Sequence, residues 1–198
     1  LMHEATEQTG VRDVTSWVVF LGSLGVSFVG LVALESSQVF GGRSGNRMLS
    51  LPYMIAVGMG LHNLGEGLAI GASYASGEYT LSALLVAGFG LHNGTEGFGI
   101  VGAAGKTPMS WRDVFLLGLI AGLPTCVGTF LSGQGVSPYF SICFYALAAG
   151  SLLYVVLSLT VMSYTATRRV QVAAGMFAGI SLMYVTAMVL TLVSGVRS

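Results

Sequence analysis

The sequence predicts an all-α fold, a polytopic bundle of six helices crossing a lipid bilayer. Three observations carry that prediction. Only 8% of the 198 residues are charged, against about 25% in an ordinary soluble domain. Hydrophobic residues make up 54% of the chain and its mean hydropathy is +0.80. The apolar residues fall into six runs, each near the roughly 20 residues that span a bilayer, without the apolar/polar alternation of a β-barrel strand. Eight basic and eight acidic residues cannot coat a soluble domain of this length, so a soluble enzyme is excluded.

The first run, about Val14–Leu34, leads into a polar, Gly/Ser-rich stretch, residues 35–51, expected as a flexible cytoplasmic linker. The second, about Pro52–Tyr74, stops at Ser76-Gly77-Glu78, and the third, about Leu81–Ala103, stops at Gly105-Lys106-Thr107-Pro108. The fourth, about Val114–Leu131, contains Pro124 and stops at Gly133-Gln134-Gly135. The fifth, about Tyr139–Met162, ends before Thr165-Ala166-Thr167-Arg168-Arg169, and the sixth covers about Val170–Val193. Glycine and other small residues recur in all six, as expected where membrane helices pack backbone to backbone. The whole, residues 1–198, reads as one membrane domain. Glu35 and Glu78, at span ends, are expected to be solvated, and Tyr139, Phe140, Phe144 and Tyr145 to pack or sit at the interface.

Charge sets the orientation. Arg43, Arg47, Lys106, Arg112, Arg168 and Arg169 follow the first, third and fifth runs, leaving only Arg12 and Arg197 for the other face. The positive-inside rule puts loops 35–51, 104–113 and 163–169 in the cytoplasm and both termini of this chain outside. The expected location is a cell membrane, plasma or inner. A net charge of zero gives no footprint for nucleic acid. Cys126 and Cys143 lie within apolar runs, against a secreted disulfide scaffold. The opening Leu1-Met2-His3-Glu4-Ala5 reads as the tail of an earlier helix, so a longer protein is expected; His3, Glu4 and Glu7 are either an outer collection point for cations or a solvated terminus.

One internal repeat carries the chemistry. Gly60-Leu61-His62-Asn63-Leu64-Gly65-Glu66-Gly67-Leu68-Ala69-Ile70 recurs as Gly90-Leu91-His92-Asn93-Gly94-Thr95-Glu96-Gly97-Phe98-Gly99-Ile100, identical at seven of eleven positions. The copies lie on successive, antiparallel runs, about ten residues in, which at about 1.5 Å per residue is close to the bilayer midplane. His62 and Glu66 share a helix face, as do His92 and Glu96, and Asn63 and Asn93 reach the edge of the same site. A carboxylate at that depth costs about 2.5–3.5 kcal/mol on insertion scales. Two of them, each accompanied by His and Asn, call for a compensating cation, and imidazole with carboxylate suits Zn²⁺. The alternative is a polar network in which Glu pairs with protonated His to fix helix register. The glycine after each carboxylate is expected to allow close helix approach.

At these residues the sequence resembles the ZIP (Zrt/Irt-like) family of divalent-metal transporters, specifically over Gly60–Gly102 and loosely over the rest. The resemblance implies that the six runs are the third to eighth of eight spans, the first two preceding Leu1. It implies that His62, Glu66, His92 and Glu96 bind the transported ion, with Asn63, Asn93 and the glutamates lining an adjoining position. Many bacterial relatives add a carboxylate from the next span there. This chain has Gly122-Leu123-Pro124-Thr125-Cys126 instead, which favours a single metal. Pro124 frees the carbonyl of Ile120 and kinks its helix, and Thr125, Cys126 or that carbonyl faces the site or serves packing alone. The linker 35–51, where many relatives carry a His-rich tract, has no histidine.

The expected function is a membrane transporter moving divalent ions (Zn²⁺ first, or Fe²⁺, Mn²⁺ or Cd²⁺) into the cytoplasm by alternating access around a midplane site. The metal is substrate and no catalytic cofactor is expected; the partners are the ion and the bilayer, with a homodimer by analogy. The competing reading is an intramembrane metalloenzyme, a zinc hydrolase or di-metal oxidase using the same ligands. It lacks a spare base, since every carboxylate at depth belongs to the repeat. The expectation is therefore that the chain is not an enzyme.

Overall fold

A computed structural model of the chain describes residues 14–37, 50–134, 137–165 and 169–194. The described residues form six α-helices and no strand: α1 Val14–Ser36, α2 Ser50–Ala75, α3 Tyr79–Gly102, α4 Trp111–Ser132, α5 Pro138–Thr165 and α6 Arg169–Ser194. Each expected run is there. In lipid the backbone must satisfy its own polar groups, which a helix does within one segment. Large apolar side chains on the outside, among them Leu21, Phe98, Phe115 and Phe177, are exposed as they would be to acyl chains. Residues 38–49 of the expected linker, His3, Glu4, Glu7 and Arg12, Arg43, Arg47, Arg168 and Arg197 lie outside the described residues.

Length and composition alone make four helices long and apolar enough to cross a membrane: α1, α4, and the segments Pro138–Ser163 and Arg169–Val189 of α5 and α6. α2 and α3, equally long, are less apolar. Their hydropathy is lowered by the His-Asn-x-x-Glu-Gly repeats, and those polar groups turn toward each other and toward neighbouring helices.

α2 is the centre of the bundle. It packs against α4, α5 and α3, while α1 packs on α5, and α6 touches α3 and α5. Met54, Ile55 and Ala56 of α2 are fully buried and share a core with Leu31 of α1, Ile100 of α3, Leu117 of α4 and Tyr154 of α5. That core gathers the ends of α1, α3 and α5 with the starts of α2 and α4, as an up-and-down bundle requires. Lys106 and Arg112 belong to this end, consistent with one positively charged face. At the opposite end Phe20, Ile142 and Ala146 form a smaller cluster.

Two local details shift the expected boundaries. α4 starts three residues early because Ser110 and Asp113 form a capping box, the Ser110 hydroxyl accepting from Asp113 N and Asp113 Oδ2 accepting from Ser110 N. Asp113 Oδ1 also accepts from Tyr53 Oη at 2.9 Å, tying the start of α4 to that of α2. Gly77 takes φ +81°, a left-handed conformation that closes the short α2–α3 turn. Glu78 is exposed, as expected, but Glu35 is not simply solvated: it is half-buried and its carboxylate accepts from Ser158 Oγ of α5 at 3.4 Å. Phe140 and Phe144 stack at 4.4 Å, the packing role expected of them.

The α2–α4 contact is backbone against backbone. A Cβ added at Gly60 would meet the carbonyl oxygen of Ile120, at Gly67 that of Thr125, at Gly71 that of Thr129, and at Gly128 of α4 that of Leu64. Ile120 O is the acceptor that Pro124, lacking an N–H, leaves without its helical donor, and it lies against Gly60. The expectation of close approach at both motif glycines is half corrected: Gly67 is pressed against α4, whereas nothing lies within 4 Å of a Cβ at Gly97. The same motif position therefore differs in tolerance. Gly67→Ala should cost about 1–3 kcal/mol through displaced backbone and lower the thermal midpoint in detergent. Gly97→Ala should leave that midpoint unchanged or raise it slightly through helix propensity; equal effects of the two would contradict the packing described.

Candidate metal centre

The repeats place their polar groups halfway along α2 and α3. His62 and Glu66 stand one turn apart on α2, His92 and Glu96 one turn apart on α3, and the two faces meet. His92 Nε2 lies 3.1 Å from Glu96 Oε1 and 3.4 Å from Glu66 Oε1, and His62 Nε2 lies 3.7 Å from the same Glu66 oxygen. The imidazole rings are stacked with centroids 6.3 Å apart. One ligand atom from each of His62, His92 and Glu96 falls within 4.8 Å of the other two. Ligand atoms on a tetrahedral zinc with bonds of about 2.1 Å lie roughly 3.4 Å apart. The three imidazole–carboxylate distances bracket that spacing, and the wider pairs need to close by little more than an ångström.

The charge in this cluster is the decisive feature. Glu66 is 6% exposed and Glu96 13%, so water screens neither well. Carboxylate oxygens and imidazole lone pairs converging in such surroundings need positive charge between them, as protons on the imidazoles or as a cation. Glu96 Oε2 is buried without a hydrogen-bond partner, so internal pairing leaves part of the cluster's capacity unused. A divalent cation would engage more of it than a single proton.

The two asparagines part company. Asn93 Nδ2 donates to Glu66 Oε2 at 2.9 Å, crossing from α3 to α2 and leaving Glu66 Oε1 for the imidazoles. Asn63, 2% exposed, instead donates from Nδ2 to the backbone carbonyl of Ala121 on α4 at 3.1 Å. Asn93 thus joins the His/Glu cluster, while the amide of Asn63 is committed to α4. Its Oδ1 and the Thr125 hydroxyl, one turn from Ala121, are both buried without partners. Of the three groups of α4 held open for the site, Cys126 is exposed, the Ile120 carbonyl is against Gly60, and Thr125 is the one with a buried, unused oxygen.

Two contacts escaped the sequence. His92 Nδ1 lies 3.1 Å from Met183 Sδ of α6, and the Phe89 ring meets His92 edge-on at 6.4 Å. Phe89 stands three residues before His92 and so was within reach of the helical spacing. Nothing in α6 marks Met183 among the other apolar residues around it.

The chain is similar to the human zinc transporter ZIP4. The two are 34% identical over 131 residues, which is 64% of this chain and 20% of that protein. The chain thus spans about a fifth of the length of the curated relative it matches. No family model and no solved structure matches the chain. The relative is a transporter, in agreement with the expectation that this chain is not an enzyme.

A pH dependence follows from the donor set. A cation competes with protons for imidazole and carboxylate, so affinity is full when both are deprotonated and falls as pH drops through the histidine range, about pH 6.5 for an ordinary imidazole. Zinc titrations of the purified protein should show weakening affinity between about pH 8 and about pH 5. A flat profile would show that His62 and His92 are not ligands.

Proposed function

We propose that this chain is the metal-binding part of a ZIP-family transporter that moves divalent transition-metal ions, zinc foremost, across a membrane into the cytoplasm. The observation that carries the reading is the cluster of His62, His92, Glu96 and Glu66, set halfway along two adjacent helices and held at ligand spacing. The similarity to a zinc transporter supports it independently. An intramembrane ionisable group marks an ion path by default, because its cost must be offset by function or pairing.

His62, His92 and Glu96 would bind the ion through Nε2 atoms and a carboxylate oxygen, with Glu66 Oε1 completing the set. Asn93 would hold Glu66 in place through its second oxygen, and Asn63 would fix α2 to α4. One ion at a time fits best, since α4 contributes Thr125 and no acid where a second metal would need one. Fe²⁺, Mn²⁺ and Cd²⁺ share enough ligand chemistry to compete. Access would alternate between the two faces around this fixed midplane position. The positive-inside rule puts the face carrying Lys106 and Arg112 in the cytoplasm, with loops 35–51, 104–113 and 163–169 cytoplasmic and the termini of this chain outside; movement toward that face rests on the family resemblance. A homodimer rests on the family resemblance.

A metalloenzyme on the same ligands would need a general base free of the metal. Among the described residues the carboxylates at mid-helix depth are Glu66 and Glu96, and both are within reach of the imidazoles.

The test is Zn²⁺ entry into sealed liposomes containing a zinc dye, using the full-length protein and its Glu66→Gln/Glu96→Gln variant. Saturable entry with wild type, falling to the level of empty liposomes with the variant, is expected. Tight zinc binding in detergent without entry would overturn transport; no binding at all would leave a structural polar network.

A further inference from the structure

The imidazole of His92 is held from both sides. Its Nε2 faces the carboxylates of Glu96 and Glu66, and its Nδ1 faces the thioether sulfur of Met183 at 3.1 Å. A neutral imidazole has one N–H and one free lone pair, and only the lone pair can bind a cation. Which nitrogen keeps the proton therefore decides whether His92 can serve the site at all. With the proton on Nδ1, the Nε2 lone pair is open toward the carboxylates. With the proton on Nε2, the lone pair points away, at Met183. Without a cation, the carboxylates at 3.1 and 3.4 Å draw the proton to Nε2; with a cation on the Nε2 lone pair the proton has to sit on Nδ1, and there the thioether, which accepts a hydrogen bond and cannot donate one, is its acceptor.

The rest of the cluster gives His92 no substitute for this contact. Phe89 meets the ring edge-on and His62 stacks on it, and neither distinguishes the two tautomers. Asn93, the next residue, spends its amide on Glu66.

We propose that Met183 of α6 is a positioning residue for His92: its sulfur accepts the Nδ1 proton and keeps the Nε2 lone pair directed at the bound divalent cation. The proposal rests on the cation-binding reading above. It gives α6, which contributes no charged group to the centre, a part in metal recognition. It also makes the site a three-helix arrangement, with α2 and α3 supplying ligands and α6 accepting the far N–H of one of them. Outer partners of this kind usually change affinity about 10- to 100-fold when they are carboxylates or carbonyls; a thioether, a weaker acceptor, belongs at the low end.

The experiment uses the full-length protein in detergent with Zn²⁺ as the probe and compares wild type, Met183→Leu and Met183→Gln. Leu keeps the apolar volume and removes the acceptor, whereas Gln keeps an acceptor oxygen at similar reach. Positioning predicts that Leu weakens zinc binding about tenfold and that Gln restores most of it. A packing role alone predicts the reverse, with Leu tolerated and Gln impaired, and that result would overturn the proposal. A sulfur neighbour in the X-ray absorption spectrum of the zinc-loaded wild type, lost in the Leu variant, would replace positioning by direct ligation and overturn it as well. If wild type binds zinc and Met183→Leu binds it equally well, the proposal alone fails; if wild type binds no zinc, the functional reading fails and the proposal with it.

Discussion

Two largely buried carboxylates and two partly buried imidazoles meet midway along α2 and α3, and the features around them bear on how their charge is satisfied. Glu66 is the pivot. One of its oxygens takes the Asn93 amide and the other faces both imidazoles, so a single side chain of α2 gathers most of what α3 brings. Removing it would separate the two helices electrostatically as well as removing a ligand. In a low-dielectric interior such a group is tolerated only when its partners are placed well, which is why the helices around it are packed so closely on one side.

That side is the α2–α4 interface. Gly60, Gly67 and Gly71 recur along one stripe of α2 and let the α4 backbone approach to the distance where a Cβ could not be accommodated. The approach lets the short Asn63 side chain reach the Ala121 carbonyl. Without a hydrophobic drive between helices in lipid, van der Waals contact and such interhelical hydrogen bonds hold the pair together. The motif thus has two jobs on α2: its His and Glu face α3, and its Asn and following Gly fix the helix to α4. On α3 the matching glycines, Gly90 and Gly97, have open space where a side chain would be.

Much of this was legible in the chain. The six helices follow from apolar runs long enough to span a bilayer, and the facing of His62/Glu66 toward His92/Glu96 follows from i, i+4 spacing on two helices joined by the short Gly77 turn. What the sequence concealed depends on which helix lies beside which. Two identical Asn residues were indistinguishable by pattern, and only the position of α4 sends Asn63 to a carbonyl while Asn93 goes to a carboxylate. Glu35 looked like a span-end charge until α5 brought Ser158 to it. The early start of α4 was local chemistry, the Ser110/Asp113 capping box, overlooked because hydropathy begins at Val114. Met183 had no local signal of any kind, since methionine in an apolar helix is ordinary filler.

The unequal settings of the two repeat copies have a mechanical consequence. α2 is clasped by α4 and α5 along its length, and α3 meets few neighbours besides α2, with its own glycines unpressed. Much of the polar attachment between α2 and α3 therefore runs through the Glu66–Asn93 hydrogen bond and the imidazole–carboxylate contacts, the very groups a cation would join. An ion entering the cluster would replace lone-pair crowding with shared coordination and tighten the α2–α3 seam, whereas its departure would return that seam to proton-dependent pairing. A site built across a firmly held helix and a lightly held one is thereby sensitive to its own occupancy. Two copies of one motif on equally clamped helices would bind an ion as well, but would have no soft element through which binding could alter the bundle.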